Sequence, residues 1–154
     1  MKPLNEGSSV NVFICNKNNV LKILKKLNEY GEILLESYIP GREIQVAILS
    51  DKILGAIELK PNRKFYDYEA KYNPSARTEH IIPVQIPNKK YQEVTKIALK
   101  AHKILKCRGV TRSDFRYYKN SFYLLETNTQ PGMTSLSLVP EIAKFNNITF
   151  KNLI

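Results

Sequence analysis

The chain has 154 residues, 43% hydrophobic and 25% charged, enough for one buried core with a smaller lobe attached; no apolar run nears the roughly 20 residues that span a bilayer. A net charge of +10 invites a nucleic-acid or membrane-surface reading, but the 18 lysines outnumber the 6 arginines and are dispersed, which points to compositional bias instead. Two cysteines (Cys15, Cys107) and two isolated histidines (His80, His102) exclude a disulfide framework, a zinc cluster and Ser-His-Asp or Cys-His hydrolase chemistry; with no signal-peptide core, reduced thiols in a cytoplasmic protein are expected.

In chain order, Val10–Cys15 reads as a short strand, and Asn16-Lys17-Asn18-Asn19 as a turn able to cap a helix. Val20, Leu21, Leu24, Leu27 and Tyr30 follow at helical spacing, with Gly31 as the stop. The apolar runs Ile33–Ile39 and Ile44–Leu49, separated by Pro40-Gly41, predict a hairpin, and Asp51-Lys52 turns the chain into a third strand, Ile53–Leu59. Residues 61–79 show neither period but hold Phe65, Tyr66, Tyr68 and Tyr72; a loop of that length is often a lid, and its aromatics argue against disorder. Asn88–Lys106 is a helix with Tyr91, Val94, Ala98, Ala101 and Leu105 on one face. Val110–Tyr118 and Phe122–Thr127 are strands around Lys119-Asn120, followed by the Gln130-Pro131-Gly132 loop and a short helix near Val139–Phe145. The mixed order with antiparallel pairs predicts an α+β fold.

Strand side chains alternate between faces. Phe115, Tyr117, Tyr123 and Leu125 are expected to form the core face, which sets Asp114, Glu126 and Asn128 on the opposite one. These three converge only if the turn has an odd-length loop or the ladder a bulge. Two carboxylates and an amide oxygen suit Mg²⁺ or Mn²⁺; two solvated acids on an exposed strand fit the same geometry. Arg112 adds a fixed cation beside the acids, and the Gln130–Thr134 loop adds backbone N–H groups, which tips the balance to a site. Elsewhere, the Asn5–Ser9 loop and Lys2 can cradle phosphates or be a plain turn and a solvated lysine, and Glu36 and Glu43 can accept from a nucleoside or simply be exposed.

Cys107–Arg116 resembles the strand that carries the transition-state arginine and first metal ligand of D-alanine–D-alanine ligases. Leu125–Thr134 is similar to their second metal strand and oxyanion loop, Phe65–Tyr72 to their active-site loop, and Lys2-Pro3 with Gly7-Ser8-Ser9 to their nucleotide strand and serine loop. The motifs stand in family order and cover essentially the whole chain. The resemblance implies an ATP-grasp fold with ATP between two α+β lobes, divided here as 1–50 and 51–154. It implies that Lys2, Glu36, the Ser37, Tyr38 and Ile39 backbone, Glu43 and Lys71 hold ATP, and that Asp114, Glu126 and Asn128 bind two Mg²⁺ or Mn²⁺ ions. Arg112 and the Gly132 backbone would stabilise the tetrahedral species, Ser137 and Leu138 would meet the second D-alanine, and Ser8, Lys71 and Tyr72 would close the site. The implied reaction joins two D-alanines through an acylphosphate for peptidoglycan precursors, with no nucleic-acid or membrane partner.

Family members carry a further N-terminal domain that supplies first-substrate contacts. The sequence here begins at a position inside a family strand, so the resemblance extends to a fragment, a half of a split ligase completed by a homodimer or a separate chain, or an inactive nucleotide-binding remnant. Leu136 also departs from relatives that carry a polar residue there.

Overall fold

The computed structural model describes residues 1–7, 9–61 and 78–154. Ser8, Lys71, Tyr72 and nearly all of the expected 61–79 loop lie outside the described residues. The chain divides into two compact units, Met1–Tyr38 and Ile39–Lys60 with Glu79–Ile154. The division therefore falls at Tyr38/Ile39 and not at 50/51, because a boundary at 50 would cut a continuous antiparallel hairpin.

In the first unit, β1 (Lys2–Pro3) pairs antiparallel with β2 (Ile33–Leu34), with Lys2 opposite Leu34. Helix α1 (Val20–Leu27) turns Ile23 and Leu27 inward and tightens into a 3-10 turn at Asn28–Tyr30 before Gly31, close to the expected helix and stop. Asn19 does not cap it: its Oδ1 accepts from the Asn16 N–H at 2.7 Å and closes the preceding turn instead. Val10–Cys15 is not a strand. Ser9 and Asn11 take left-handed φ values of 62° and 53°, which bends the run; within it Phe13 exchanges backbone hydrogen bonds with Met1 at 2.8 and 2.9 Å.

The second unit is built on a five-stranded sheet. Its strands are β3 (Arg42–Leu49), β4 (Lys52–Lys60), β5 (Glu79–Ile81), β6 (Val110–Tyr118) and β7 (Ser121–Asn128). Their order is β5-β4-β3-β6-β7, and every neighbouring pair is antiparallel. The predicted hairpin between 33–39 and 44–49 does not form. β3 is bonded on both edges, by β4 and β6, so it has no edge to offer, and β2 ends at Leu34.

Alternation along β3 explains the packing on both faces. Ile44, Val46 and Ile48 join Ala56, Val84, Phe115 and the Val94 and Ala98 side of helix α2 (Asn88–Ile104) in one buried cluster. Each such fully buried aliphatic or aromatic side chain stabilises the fold by about 1.5–3 kcal/mol. At its rim, Arg42 forks onto Glu58, and that hydrogen bond raises the arginine pKa above its ordinary value.

On the other face, Glu43, Gln45 and Ala47 stand beside Leu59, Ile57 and Gly55 of β4. Helix α3 (Leu138–Phe145) covers the β4 side of this face, with Val139, Ile142 and Ala143 buried. A Cβ on Gly55 would stand 2.8 Å from Ile142 Cγ2, so the absent side chain is what lets the helix approach. A one-turn helix, α4 (Phe150–Leu153), follows, its Thr149 cap accepting from Asn152. Among the described residues, no helix is long and apolar enough to cross a membrane.

Candidate functional site

The β6–β7 hairpin turns through only two residues, Lys119 and Asn120, whose φ values of 46° and 64° both lie in the left-handed region that a tight hairpin turn needs. Such a turn pairs odd with even positions: Tyr117 faces Phe122, and Phe115 faces Leu124. Continued, this register would put Glu126 on the face opposite Asp114. A bulge between Asp114 and Phe115 absorbs one residue of β7, Leu125, and the ladder resumes with Asp114 opposite Glu126 and Arg112 opposite Asn128. The bulge is the second of the two devices the parity of the sequence requires.

Its position corrects the expected core face. Phe115 is fully buried and Tyr117 packs on the same cluster, but the β7 side chain that meets them is Phe122, at ring-centroid distances of 6.3 and 4.5 Å. Tyr123 and Leu125 are exposed. The parity of β7 changes in mid-strand, so residues before and after Leu125 obey different rules.

Three cross-strand rows result on the face that α3 leaves uncovered. One holds Gln45, Asp114 and Glu126; the next holds Ala47, Arg112 and Asn128; on the other side lie Glu43, Arg116 and Tyr123. Arg112 donates through Nε and Nη2 to the two oxygens of Asp114 at 2.8 and 2.9 Å. Asn128 Nδ2 donates to Glu126 Oε1 at 3.4 Å. Arg116 Nη2 stands 3.2 Å from Glu43 Oε2, and its Nη1 donates to the Gly41 carbonyl at 3.2 Å. Asp114 and Glu43 are buried while Glu126 is exposed, so the face opens to solvent towards β7. Among the described residues, this face brings three carboxylates together with two guanidiniums.

Beyond β7, the loop folds on itself before α3. Ser137 Oγ accepts from the Thr134 N–H at 3.0 Å and bonds the Thr134 hydroxyl at 2.9 Å. A Cβ on Gly132 would lie 2.8 Å from that same Oγ, so a side chain there would displace the Ser137 hydroxyl from these bonds. Leu138 is buried, and as the first residue of α3 it carries an N–H with no partner inside the helix. A groove of about 640 Å³ opens alongside, lined among others by Met133, Thr134, Glu141 and Lys144.

In the first unit, Lys2 Nζ lies 2.9 Å from Glu36 Oε2, and Ser37, Tyr38 and Ile39 continue as irregular chain. Glu36 and Glu43 do not flank a hairpin turn; they belong to different units. Arg116 shares the face of Asp114, as alternation along its strand predicts, whereas the sequence reading overlooked Gln45 as a member of that face. The signal was present: in Arg42–Leu49, polar Glu43 and Gln45 alternate with Ile44, Val46 and Ile48.

Antiparallel sheets flanked by helices in this order are the ATP-grasp fold of carboxylate–amine ligases, as expected. More narrowly, the chain belongs to the family described as D-ala D-ala ligase C-terminus, whose model matches residues 1–154. It is 64% identical, over 154 residues, to the D-alanine--D-alanine ligase of Pelagibacter ubique (strain HTCC1062), covering all of this chain and 51% of that protein. To the enzyme of that name from Paramagnetospirillum magneticum (strain ATCC 700264 / AMB-1) it is 46% identical over 160 residues, covering 100% of this chain and 52% of the relative. The crystal structure of D-alanine--D-alanine ligase from Bacillus anthracis aligns with a TM-score of 0.83 at 34% identity, over 99% of this chain and 50% of that one. The structure of the same Bacillus anthracis enzyme complexed with ATP aligns at 0.75 and 28% identity, over 90% and 44%. The chain thus spans about half the length of the relatives it matches.

Proposed function

We propose that this chain is the catalytic portion of an ATP-dependent ligase that joins two D-alanines for peptidoglycan precursors. The observation that carries the reading is the Asp114–Glu126 and Arg112–Asn128 pair of rows, brought onto one face by the bulge in a chain that matches the family end to end. Among the described residues no group of three His, Cys, Asp or Glu gathers. A cation here therefore rests on Asp114, Glu126 and the Asn128 amide oxygen, with phosphate and water oxygens completing its shell; this donor set fits Mg²⁺ or Mn²⁺, two ions in the family pattern, and not a softer metal. A carboxylate oxygen can accept from more than one partner, so the Arg112 fork does not by itself bar a cation from Asp114. Held there, such cations would supply neutralisation of phosphate charge.

The chain's own groups do the rest. Lys2 holds phosphate; Glu36, Glu43 and the Ser37, Tyr38 and Ile39 backbone hold adenine and ribose, with Lys71 joining from the region outside the described residues. The carboxylate of the first D-alanine takes the γ-phosphoryl group of ATP, giving ADP and an acylphosphate. The amine of the second D-alanine then attacks the acyl carbon, phosphate leaves with the C–O bond electrons, and the amine gives up a proton. Arg112 and the Gly132 N–H hold the oxyanion of the tetrahedral species. The Leu138 N–H at the start of α3 and the Ser137 hydroxyl hold the second carboxylate. Ser8 and Tyr72 close the site against water.

A second reading is a nucleotide-binding protein of the same family without turnover of its own. Calorimetric titration with ATP and Mg²⁺ tests the site. Asp114→Ala and Glu126→Ala should each weaken metal-dependent binding by more than about tenfold; unchanged affinity in both would remove the metal assignment. Phosphate release stimulated by D-alanine separates the ligase from the binding protein. The purified chain alone should release little, and robust dipeptide synthesis would show that no partner is needed.

A further inference from the structure

The row that joins Asp114 to Glu126 has a third polar member. Gln45 on β3 is the cross-strand neighbour of Asp114, on the side away from Glu126. It is 1% exposed, and its Oε1 has no hydrogen-bond partner among the described residues. Its other cross-strand neighbour is Ile57, and along β3 the residues that share its face are Glu43 and Ala47, both buried. An apolar side chain of the same shape would remove the cost of an unsatisfied buried oxygen. Among the described residues, Arg112 directs its fork to Asp114, and Arg116 directs its guanidinium to Glu43 and Gly41. The Asp114 carboxylate only accepts. Gln45 thus adds a buried acceptor beside a carboxylate, an arrangement that favours a positive group or a donor carried by one.

We propose that Gln45 is a positioning residue for the cation held at Asp114 and Glu126, its Oε1 accepting a hydrogen bond from a water on that cation. The inference rests on the metal reading above. Mg²⁺ and Mn²⁺ in such sites keep several waters, and each water presents hydrogens to whatever acceptors surround the site. A neutral amide oxygen takes such a hydrogen without adding a charge, and the groups that hold a metal's surroundings change its affinity by about 10–100-fold. Satisfied only in the loaded state, the oxygen ties the cation to the central strand β3 as well as to β6 and β7.

The test is a titration of the full chain with Mn²⁺ and ATP, with free Mn²⁺ read by electron paramagnetic resonance and thermal unfolding of the metal-free protein followed in parallel. Gln45→Leu should bind Mn²⁺ about tenfold more weakly than wild type, while its metal-free unfolding midpoint stays level or rises because the unsatisfied oxygen is gone. Gln45→Glu, which keeps an acceptor, should bind at least as tightly as wild type. If Gln45→Leu does not fold, Gln45→Met takes its place with the same expectation. Wild-type binding that survives Gln45→Leu within about twofold, or that Gln45→Glu loses as fully as Gln45→Leu, overturns the role of Gln45 and leaves the metal site standing. A wild-type chain that binds no Mn²⁺ overturns the metal reading and this inference together.

Discussion

Asp114 and Lys2 are both assigned to ATP chemistry, yet the molecule holds them by different means. Asp114 sits in the middle of a nine-residue strand bonded on both edges, on the reverse of a closed apolar cluster, with its carboxylate gripped by a two-pronged arginine. Lys2 sits in a two-residue strand with one neighbour, and its ammonium meets a half-exposed glutamate. The first residue is positioned by the sheet before any ligand arrives. The second can change partner at little cost, because exposed ion pairs contribute about 0–1 kcal/mol.

Three substitutions bear on that contrast. Phe115→Ala opens the cluster beneath the acidic face and should cost about 3–5 kcal/mol in denaturant unfolding, with nucleotide binding lost as the rows loosen. A loss under about 1 kcal/mol would mean the cluster does not hold the site. Deleting Leu125 removes the bulge but keeps Asp114 opposite Glu126 in a now regular ladder, so Mn²⁺ affinity should stay within about threefold of wild type, well inside the loss expected from removing a metal ligand. Loss comparable to Glu126→Ala would show that the distortion itself, beyond the register, shapes the site. Lys2→Met should move stability by less than about 1 kcal/mol while weakening ATP binding. A large stability change with unaltered ATP affinity would assign Lys2 a structural role.

The same contrast separates what the sequence discloses from what it hides. The β3–β4 hairpin, α2 and the β6–β7 strands were legible because each is long enough for its period to show over several repeats. The parity argument over Asp114, Glu126 and Asn128 even required an odd loop or a bulge. It could not place the bulge, because Tyr123, Leu124 and Leu125 are all apolar and the pattern does not say which one is surplus. In the first unit the signals were short. Val10–Cys15 has strand composition, but left-handed Ser9 and Asn11 decide its path, and neither is a glycine that would have announced it. The run 33–39 was misassigned for a non-local reason: whether a strand finds a partner depends on the edges other strands have already filled. Gln45 was hidden by context, since one amide in an apolar run draws notice only when its neighbours across the ladder are known to be acids and arginines.

The bulge at Leu125 also matters for the company the protein keeps. Among the described residues β7 is the last strand of its sheet, and Tyr123, Leu124 and Leu125 on it are exposed. A straight edge of that character invites another chain to add a strand and begin an aggregate. A mid-strand irregularity followed at once by Glu126 interrupts the template after a few residues, so an incoming strand cannot keep its own alternation matched along the whole edge. The distortion that brings the acids into line thus also guards the sheet against being extended.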